Sequence, residues 1–185
     1  MRIIGGEYRS RTLNAPKGMS TRPTLDQTRE ALFNIRQGRV TGARFLDLYA
    51  GSGAVALEAL SRGAAGAVLC DSSRAACACI RDNILRLGCE ARARLLEMPD
   101  QRAIPLLRRE GAQFDLIFLD PPYATDLAPV LAALKNADLL ADGGLVVAEH
   151  AAGSNPVPPE GWALNRRKVY RDTALSFFAA TPTDE

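Results

Sequence analysis

Residues 114–126, FDLIFLDPPYATD, end an apolar run with Asp120, Pro121, Pro122 and Tyr123. The prolines alone explain only why a strand ends, because proline restricts the backbone and has no N–H. The Asp120 carboxylate and a stiff Pro121 carbonyl form a pair of acceptors that could hold both hydrogens of a planar nucleobase amine. This would orient the nitrogen lone pair toward an incoming methyl group and stabilise the positive charge developing there. The ring of Tyr123 could stack on a base taken out of its helix.

A glycine turn earlier in the chain provides a second pattern. Gly51, Ser52 and Gly53 lie between a predicted strand and a predicted helix, and Gly51 to Ala56 matches the dinucleotide fingerprint G-x-G-x-x-A. Glycines there let the backbone approach a ligand and aim free amides at it. Asp71 ends the next predicted strand, where a carboxylate can accept hydrogen bonds from ribose hydroxyls. These features fit NAD and S-adenosylmethionine (AdoMet) equally, because both have an adenosine end.

Asp47 favours AdoMet. It precedes Gly51 near the carboxyl end of the first strand, where it would attract the α-ammonium group of AdoMet and repel a dinucleotide pyrophosphate. A methyl group on a sulfonium is already activated, so the protein must supply mainly alignment and charge placement. No metal is required, and none is predicted, because the four cysteines form no C-x-x-C pair and His150 is the only histidine.

Strands and helices alternate from residue 43 onward. Continuous apolar strands are predicted at 43–49, 65–71, 92–98, 114–120 and 143–150, with helices between them. This pattern predicts an α/β, Rossmann-like fold with a mostly parallel sheet and helices on both faces. Residues 163–172 and 174–180 predict a closing hairpin at the sheet edge. Such sheets build their sites at the carboxyl ends of their strands, with Asp120 beside the first strand if the order is doubly wound.

Residues 1–42 form a basic N-terminal extension ahead of a domain at 43–181 and a frayed tail at 182–185. The net charge is only +2, but residues 1–44 carry nine Arg or Lys against three acids, a balance of +6. This clustering predicts a polyanionic partner. Residues 2–13 predict a β-hairpin turning at Gly5 and Gly6, and residues 24–37 predict a helix with a capping box from Thr24 to Gln27.

Composition predicts one cytoplasmic domain. The chain has 185 residues and is 47% hydrophobic, which suits one compact unit with a sizeable core. No apolar run approaches the ~18 residues that a membrane span needs, and residues 1–10 lack the features of a signal peptide. We expect a monomer that does not associate with membranes.

Several segments resemble known methyltransferases. DLYAGSGAVALEALSRGA is similar to the AdoMet-binding strand-loop-helix of class I methyltransferases, and LDPPY resembles the signature of enzymes that methylate adenine N6 or guanine N2. RIIGGEYRSRTL, RPTLDQTREALFN and the core that follows resemble the bacterial RsmD family over roughly residues 1–150. The resemblance implies a seven-stranded class I fold with a small N-terminal extension. It also implies methylation of a guanine N2 amine in 16S ribosomal RNA, of the guanine 966 type, in assembled or assembling small subunits.

The resemblance also implies site residues. Asp120, Pro121, Pro122 and Tyr123 would hold the guanine. AdoMet would be bound by Asp47, Tyr49, Gly51, Ser52, Gly53, Asp71, Ser72 and Asp100. The extension would shape the cleft through Arg22, Thr24, Arg29 and Glu30, and it would meet RNA phosphates through Arg2, Arg9 and Arg11. The sequence departs from the family pattern in LLEMPDQRA, where Pro99 precedes the candidate adenine contact Asp100, and at Ser73, where a second acid is common.

Three other functions remain open. An adenine-N6 methyltransferase acting on DNA or RNA would use the same amine clamp, although a chain of 185 residues leaves no room for a large DNA-recognition domain. A NAD-dependent oxidoreductase fits Gly51 to Ala56 but leaves Asp120 to Tyr123 without a role. A non-catalytic RNA-binding or assembly factor would not need the intact D-P-P-Y stretch.

Overall fold

Seven strands form one sheet in the order β3-β2-β1-β4-β5-β7-β6. The computed structural model describes residues 1–16, 23–35, 37–122 and 125–181. The strands are β1 Arg44–Asp47, β2 Gly66–Cys70, β3 Ala93–Leu96, β4 Phe114–Leu119, β5 Leu140–Ala151, β6 Trp162–Tyr170 and β7 Thr173–Ala180. The helices are α1 Pro23–Ile35, α2 Gln37–Val40, α3 Ala54–Ser61, α4 Arg74–Leu87, α5 Asp100–Arg109 and α6 Leu127–Asn136. Strands β1 to β5 are parallel and β7 pairs antiparallel with both β5 and β6, which confirms the predicted fold class and closing hairpin.

Apolar layers cover both faces of the sheet. One buried cluster joins the face of Phe45 and Phe118 to α1, α3, α4 and the N-terminal extension. The other joins the face of Leu46 and Ile117 to α5 and α6. Burial on both faces explains why the parallel strands read as continuous apolar runs rather than alternating ones. The alternation of side chains in β4 and β5 places Asp120 and Glu149 on the same face as Phe118 and Val147.

Helix α4 has a capping residue at each end. The hydroxyl oxygen of Ser73 accepts a hydrogen bond from the amide of Ala76 (3.4 Å), and Gly88 closes the helix with φ 67°. A side-chain cap at the first turn and a left-handed glycine at the last satisfy backbone groups that the helix itself leaves without partners. Cys77 and Ile80 lie on the buried side of the helix, which fixes α4 against the sheet beside the glycine turn.

The predicted hairpin in residues 2–13 is present in a short form. An antiparallel bridge joins Arg2 and Thr12, and the amides of Ile3 and Leu13 donate to the carbonyls of Arg11 and Met1 (3.0 and 2.9 Å). The turn runs further than predicted, with positive φ at Gly6 and again at Ser10. The carboxylate of Glu58 in α3 accepts hydrogen bonds from the amides of Ile4 and Gly5 (2.8 and 2.9 Å), which satisfies these donors and ties the hairpin to α3.

The extension shares the core of the sheet. Ile3, Tyr8 and Leu13 are buried in the same cluster as Phe33 of α1 and Phe45 of β1. The predicted helix at 24–37 is observed as α1, which begins at Pro23, followed by the short α2. Arg22, Tyr123, the capping side chains of α1 and the predicted frayed tail at 182–185 lie outside the described residues.

In the described ranges, no helix is both long enough and apolar enough to span a lipid bilayer. Within the same ranges, no three His, Cys, Asp or Glu side chains are grouped so that they could hold a metal ion.

Candidate active site

A cleft of about 610 Å³, a volume that includes solvent at its mouth, opens at the carboxyl edge of the sheet. The sheet contributes Asp47, Asp120 and Glu149, and the glycine turn contributes one wall. Helix α1 covers the other side. The cleft brings together six of the residues predicted from the sequence, namely Asp47, Tyr49, Gly51, Ser52, Arg29 and Asp120.

The strand register explains why the acids meet. Asp47 of β1 is paired with Phe118 of β4, so Asp120 lies just beyond that pair at the end of β4. Leu119 of β4 is paired with Ala148 of β5, so Asp120 and Glu149 follow the last registered pair on adjacent strands. Neighbouring strands are about 4.8 Å apart. Three carboxylates therefore converge on one edge and one face of the sheet.

All three carboxylates have a raised pKa. Burial, and then the charge of Asp120, raises the pKa of Asp47 to about 8. Burial raises the pKa of Asp120 to about 6. Burial and the charge of Asp120 raise the pKa of Glu149 to about 8. Asp47 is 1% exposed, and its Oδ1 has no hydrogen-bond partner within the described part of the chain. A cation bound here would favour the ionised acids and satisfy a buried acceptor.

The glycine turn has the left-handed backbone that its sequence requires. Gly51 has φ 58° and Gly53 has φ 78°. A Cβ on Gly53 would lie 3.0 Å from Cδ2 of Leu69, so this position is also tightly packed. The prediction that the turn aims free amides at a ligand is wrong for both glycines. The Gly51 amide donates to Oδ2 of Asp71 (2.8 Å), and the Gly53 amide donates to the carbonyl of Ala50 (2.6 Å).

Asp71 therefore organises the turn as well as ending its strand. Its Oδ1 accepts from the amide of Ser73 (2.8 Å), which ties the end of β2 to the start of α4. A carboxylate has about four acceptor sites, so these two bonds leave capacity for ribose hydroxyls. Ser72 lies exposed beside it. The predicted ribose contact of Asp71 stays a prediction.

Tyr49 and Asp100 are held together across the cleft wall. The hydroxyl of Tyr49 donates to Oδ2 of Asp100 (3.0 Å), and burial together with the Asp100 charge raises the pKa of Tyr49. Asp100 is the first residue of α5, and Pro99 precedes it as the helix cap. The segment LLEMPDQRA, which departs from the family pattern, therefore contains the start of α5. The first acid of that helix, Asp100, is held by its hydrogen bond from Tyr49.

The basic residues of the extension occupy two different environments. Arg2, Arg9 and Arg11 are exposed, although Arg11 also donates to the carbonyl of Arg86 (2.5 Å). Arg29 is 4% exposed, lines the cleft, donates to the carbonyl of Arg2 (2.6 Å) and lies 3.8 Å from Glu58. Arg29 therefore forms part of the cleft wall. Glu30 is exposed, and the side chain of Thr24 lies outside the described residues.

Sequence reasoning missed two buried polar residues that position the site. Glu58 of α3 is fully buried, holds the extension through the amides of residues 4 and 5, and pairs with Arg62 at the end of its own helix (2.7 Å). Asn83 of α4 donates to the carbonyls of Ser52 (2.9 Å) and Asn14 (3.0 Å) and accepts from the Asn14 amide (2.8 Å). A polar residue inside each buried helix face was the signal available in the sequence. Glu149, the third missed residue, lines the cleft beside Asp120.

Comparison with known proteins agrees with this geometry. The family model described as "Conserved hypothetical protein 95" matches residues 1–179. The Ribosomal RNA small subunit methyltransferase D of Escherichia coli strain K12 is 36% identical over 180 residues, covering 96% of this chain and 89% of that protein.

Two solved structures share the whole architecture. The Escherichia coli protein yhhF superposes with a TM-score of 0.84 at 36% identity, covering 97% of both chains. A hypothetical protein from Thermus thermophilus gives a TM-score of 0.83 at 35% identity, covering 96% of this chain and 98% of that one. The similarity therefore extends through the N-terminal extension and the closing hairpin, and the chain belongs to the RsmD family.

Proposed function

We propose that this protein transfers a methyl group from AdoMet to the exocyclic N2 amine of a guanine in 16S rRNA of the small ribosomal subunit. The observation that carries the proposal is the position of Asp120, which lines the same cleft as Asp47 and the glycine turn. An amine acceptor and a cofactor cradle are thereby brought to one edge of the sheet. The Escherichia coli relative, named as a small-subunit rRNA methyltransferase, supports the choice of RNA.

The residues of the cleft fit AdoMet. The buried Oδ1 of Asp47 lacks a partner in the described ranges and suits an α-ammonium group. Gly51 lines the cleft without a side chain that would block the approach of the cofactor. Asp71 would accept from the ribose hydroxyls, and Asp100 is the candidate contact of the adenine end. When bound, AdoMet supplies an electrophilic methyl group on a sulfonium, so the protein need not provide a metal or a covalent nucleophile.

The acid at the end of β4 holds the amine. Asp120 accepts one N–H of the base, and the carbonyl of Pro121 accepts the other, which keeps the nitrogen lone pair directed into the cleft. The carbonyl of Pro122 accepts from the amide of Thr125 (2.8 Å), which helps to hold Pro122 in place next to the clamp. Tyr123 would stack on the flipped base. A fixed acceptor pair of this kind stabilises charge without reorganising during the reaction.

The charge of the cleft argues against the dinucleotide reading. Asp47, Asp120 and Glu149 all line it, and an anionic pyrophosphate there would disfavour the ionised form of each acid, whereas the cationic end of AdoMet would favour it. The adenine-N6 alternative is not separated by these acids, because an adenine amine also presents two hydrogens. The two alternatives, guanine-N2 and adenine-N6 methylation, are separated by identifying which base the protein modifies.

The decisive experiment uses methyl-labelled AdoMet and small ribosomal subunits from a strain that lacks this gene. We expect the purified protein to label 16S rRNA, and nucleoside analysis of the digested RNA to show N2-methylguanosine. Subunits from the parent strain, already modified, should accept little label. Labelled N6-methyladenosine would establish the alternative, and no labelled nucleoside in either rRNA or DNA would overturn the proposal.

A further inference from the structure

Glu149 is a buried acid that the proposed amine clamp does not use. It is 5% exposed and lines the cleft. Burial, and then the charge of Asp120, raise the pKa of Glu149, so a hydrogen-bond donor bound in the cleft would stabilise its ionised form. Glu149 lies on the same sheet face as Asp120, on the adjacent strand, and so it lies near the base that Asp120 would hold.

The edges of guanine and adenine differ beside the amine. Guanine presents an N1–H donor next to its N2 amine, so two neighbouring acceptors match it. Adenine presents the N1 lone pair next to its N6 amine, and a carboxylate there would repel that lone pair. Burial and the charge of Asp120 raise the pKa of Glu149 to about 8, and an N1–H donor beside it would favour its ionised form. The ionised acid next to an amine clamp is complementary to guanine and opposed to adenine.

We propose that Glu149 selects guanine by accepting the N1–H of the target base while Asp120 holds the N2 amine. This inference rests on the proposed function and assigns its choice of base to one residue. His150, the next residue, takes no part, because it lies on the opposite face with its Nε2 hydrogen-bonded to Oγ of Ser176 (2.8 Å). Asp47 lies beyond Asp120, on β1, and is assigned to the cofactor.

The test compares guanine with 2-aminopurine, which keeps the C2 amine but has a lone pair at N1. Small subunits are reconstituted with 16S rRNA carrying either base at the modified position. The wild-type protein should methylate guanine at least about 100-fold faster than 2-aminopurine, because a site built to accept an N–H rejects an analogue that lacks it. Glu149→Gln can donate its amide to the N1 lone pair, so the ratio should fall at least about tenfold.

2-Aminopurine also lacks the O6 of guanine, but this loss affects the wild type and Glu149→Gln alike. The change in the ratio of the two rates between these proteins therefore reports on the contact with N1 alone. Glu149→Asp, which keeps the charge, should keep the preference for guanine even if its rate is lower. If Glu149→Gln transfers methyl to neither RNA, the ratio of equilibrium binding constants for the two RNAs decides in the same way. A ratio equal to that of the wild type overturns the inference, while N2-methylguanosine formed by the wild type would leave the proposed function standing.

Discussion

Asp47 and Asp120 face one cleft from paired parallel strands, and the charge of Asp120 raises the pKa of Asp47. In the proposed reaction, one acid holds the ammonium end of the cofactor and the other holds the amine of the base. The glycine turn and α1 close the space between them. The proposed methyl transfer takes place between these two carboxylates. The contribution of Asp47 to cofactor binding and that of Asp120 to holding the base can therefore be measured separately.

The affinity for AdoMet should rise with pH up to about 8. Asp47 in the free protein has a pKa of about 8 and is mostly protonated at neutral pH, whereas an ammonium partner favours its ionised form. Binding then releases a proton, so the dissociation constant should fall by up to about tenfold per pH unit below that pKa. The gain should end where an α-amino group loses its own charge, near ~8.

Calorimetry in two buffers of different ionisation enthalpy measures this proton release. Asp47→Asn should bind AdoMet more weakly and show a flatter pH profile, because the group that releases the proton is gone. Asp71 and Asp120 also act on Asp47 electrostatically, and they remain in that variant. A profile of unchanged steepness in Asp47→Asn would assign the proton to another group.

Gly53→Ala should damage both the fold and the cofactor site. The substitution imposes a side chain on a left-handed residue and brings its Cβ to 3.0 Å from Leu69, for a loss of about 1–2 kcal/mol from conformation alone. Gly88→Ala is the matched control, since Gly88 is also left-handed but has open space around it. Thermal unfolding should show both losses, and only Gly53→Ala should weaken AdoMet binding. Equal AdoMet affinities in the two variants would contradict a role for the turn in the site.

Much of this site could be predicted from chain order. Asp47, Asp71 and Asp120 end apolar segments, and parallel strands bring such ends to one edge. Glu149 was not predicted, because it lies near the end of an apolar strand and its facing depends on the register of β5 with β4. Local sequence carries no information on that register.

The error at the glycine turn has a long-range origin. The amide of Gly51 was predicted to be free, but Asp71 binds it from the neighbouring strand end. The length of the turn in residues 2–13 also depends on a distant residue, because Glu58 binds the amides of Ile4 and Gly5. In both cases a carboxylate from another element accepts from a backbone donor, which local sequence does not reveal.

Glu58→Gln should loosen the N-terminal extension. Removing one partner from a buried charged group costs roughly 3 kcal/mol, and Glu58 is fully buried against Arg62 and Arg29. Glu97→Gln is the control, because the Glu97–Arg81 pair is about half exposed and should contribute less than ~1 kcal/mol. Urea unfolding measures both. Similar losses in the two variants would show that Glu58 does not anchor the extension.

Arg9→Glu with Arg11→Glu should weaken RNA binding and make it less sensitive to salt. If each arginine contacts one phosphate, the slope of log affinity against log salt should fall by about 1.4–1.8 in magnitude. Arg108→Glu with Arg109→Glu is the control, since it makes the same charge change on α5, which packs on the opposite face of the sheet. Filter binding to 16S rRNA over a salt series measures the slopes. If the control lowers the slope as much as the extension variant, the basic extension has no special role.

The most direct test of the amine clamp is single-turnover methyl transfer by Asp120→Asn, measured with saturating AdoMet and small subunits that lack the modification. The asparagine keeps the shape but replaces one acceptor with a donor, so the rate should fall about 100- to 1,000-fold. AdoMet should bind as tightly as to the wild type or more tightly, because the charge that raises the pKa of Asp47 is removed. A rate within a few-fold of the wild type, with AdoMet bound, would contradict the clamp.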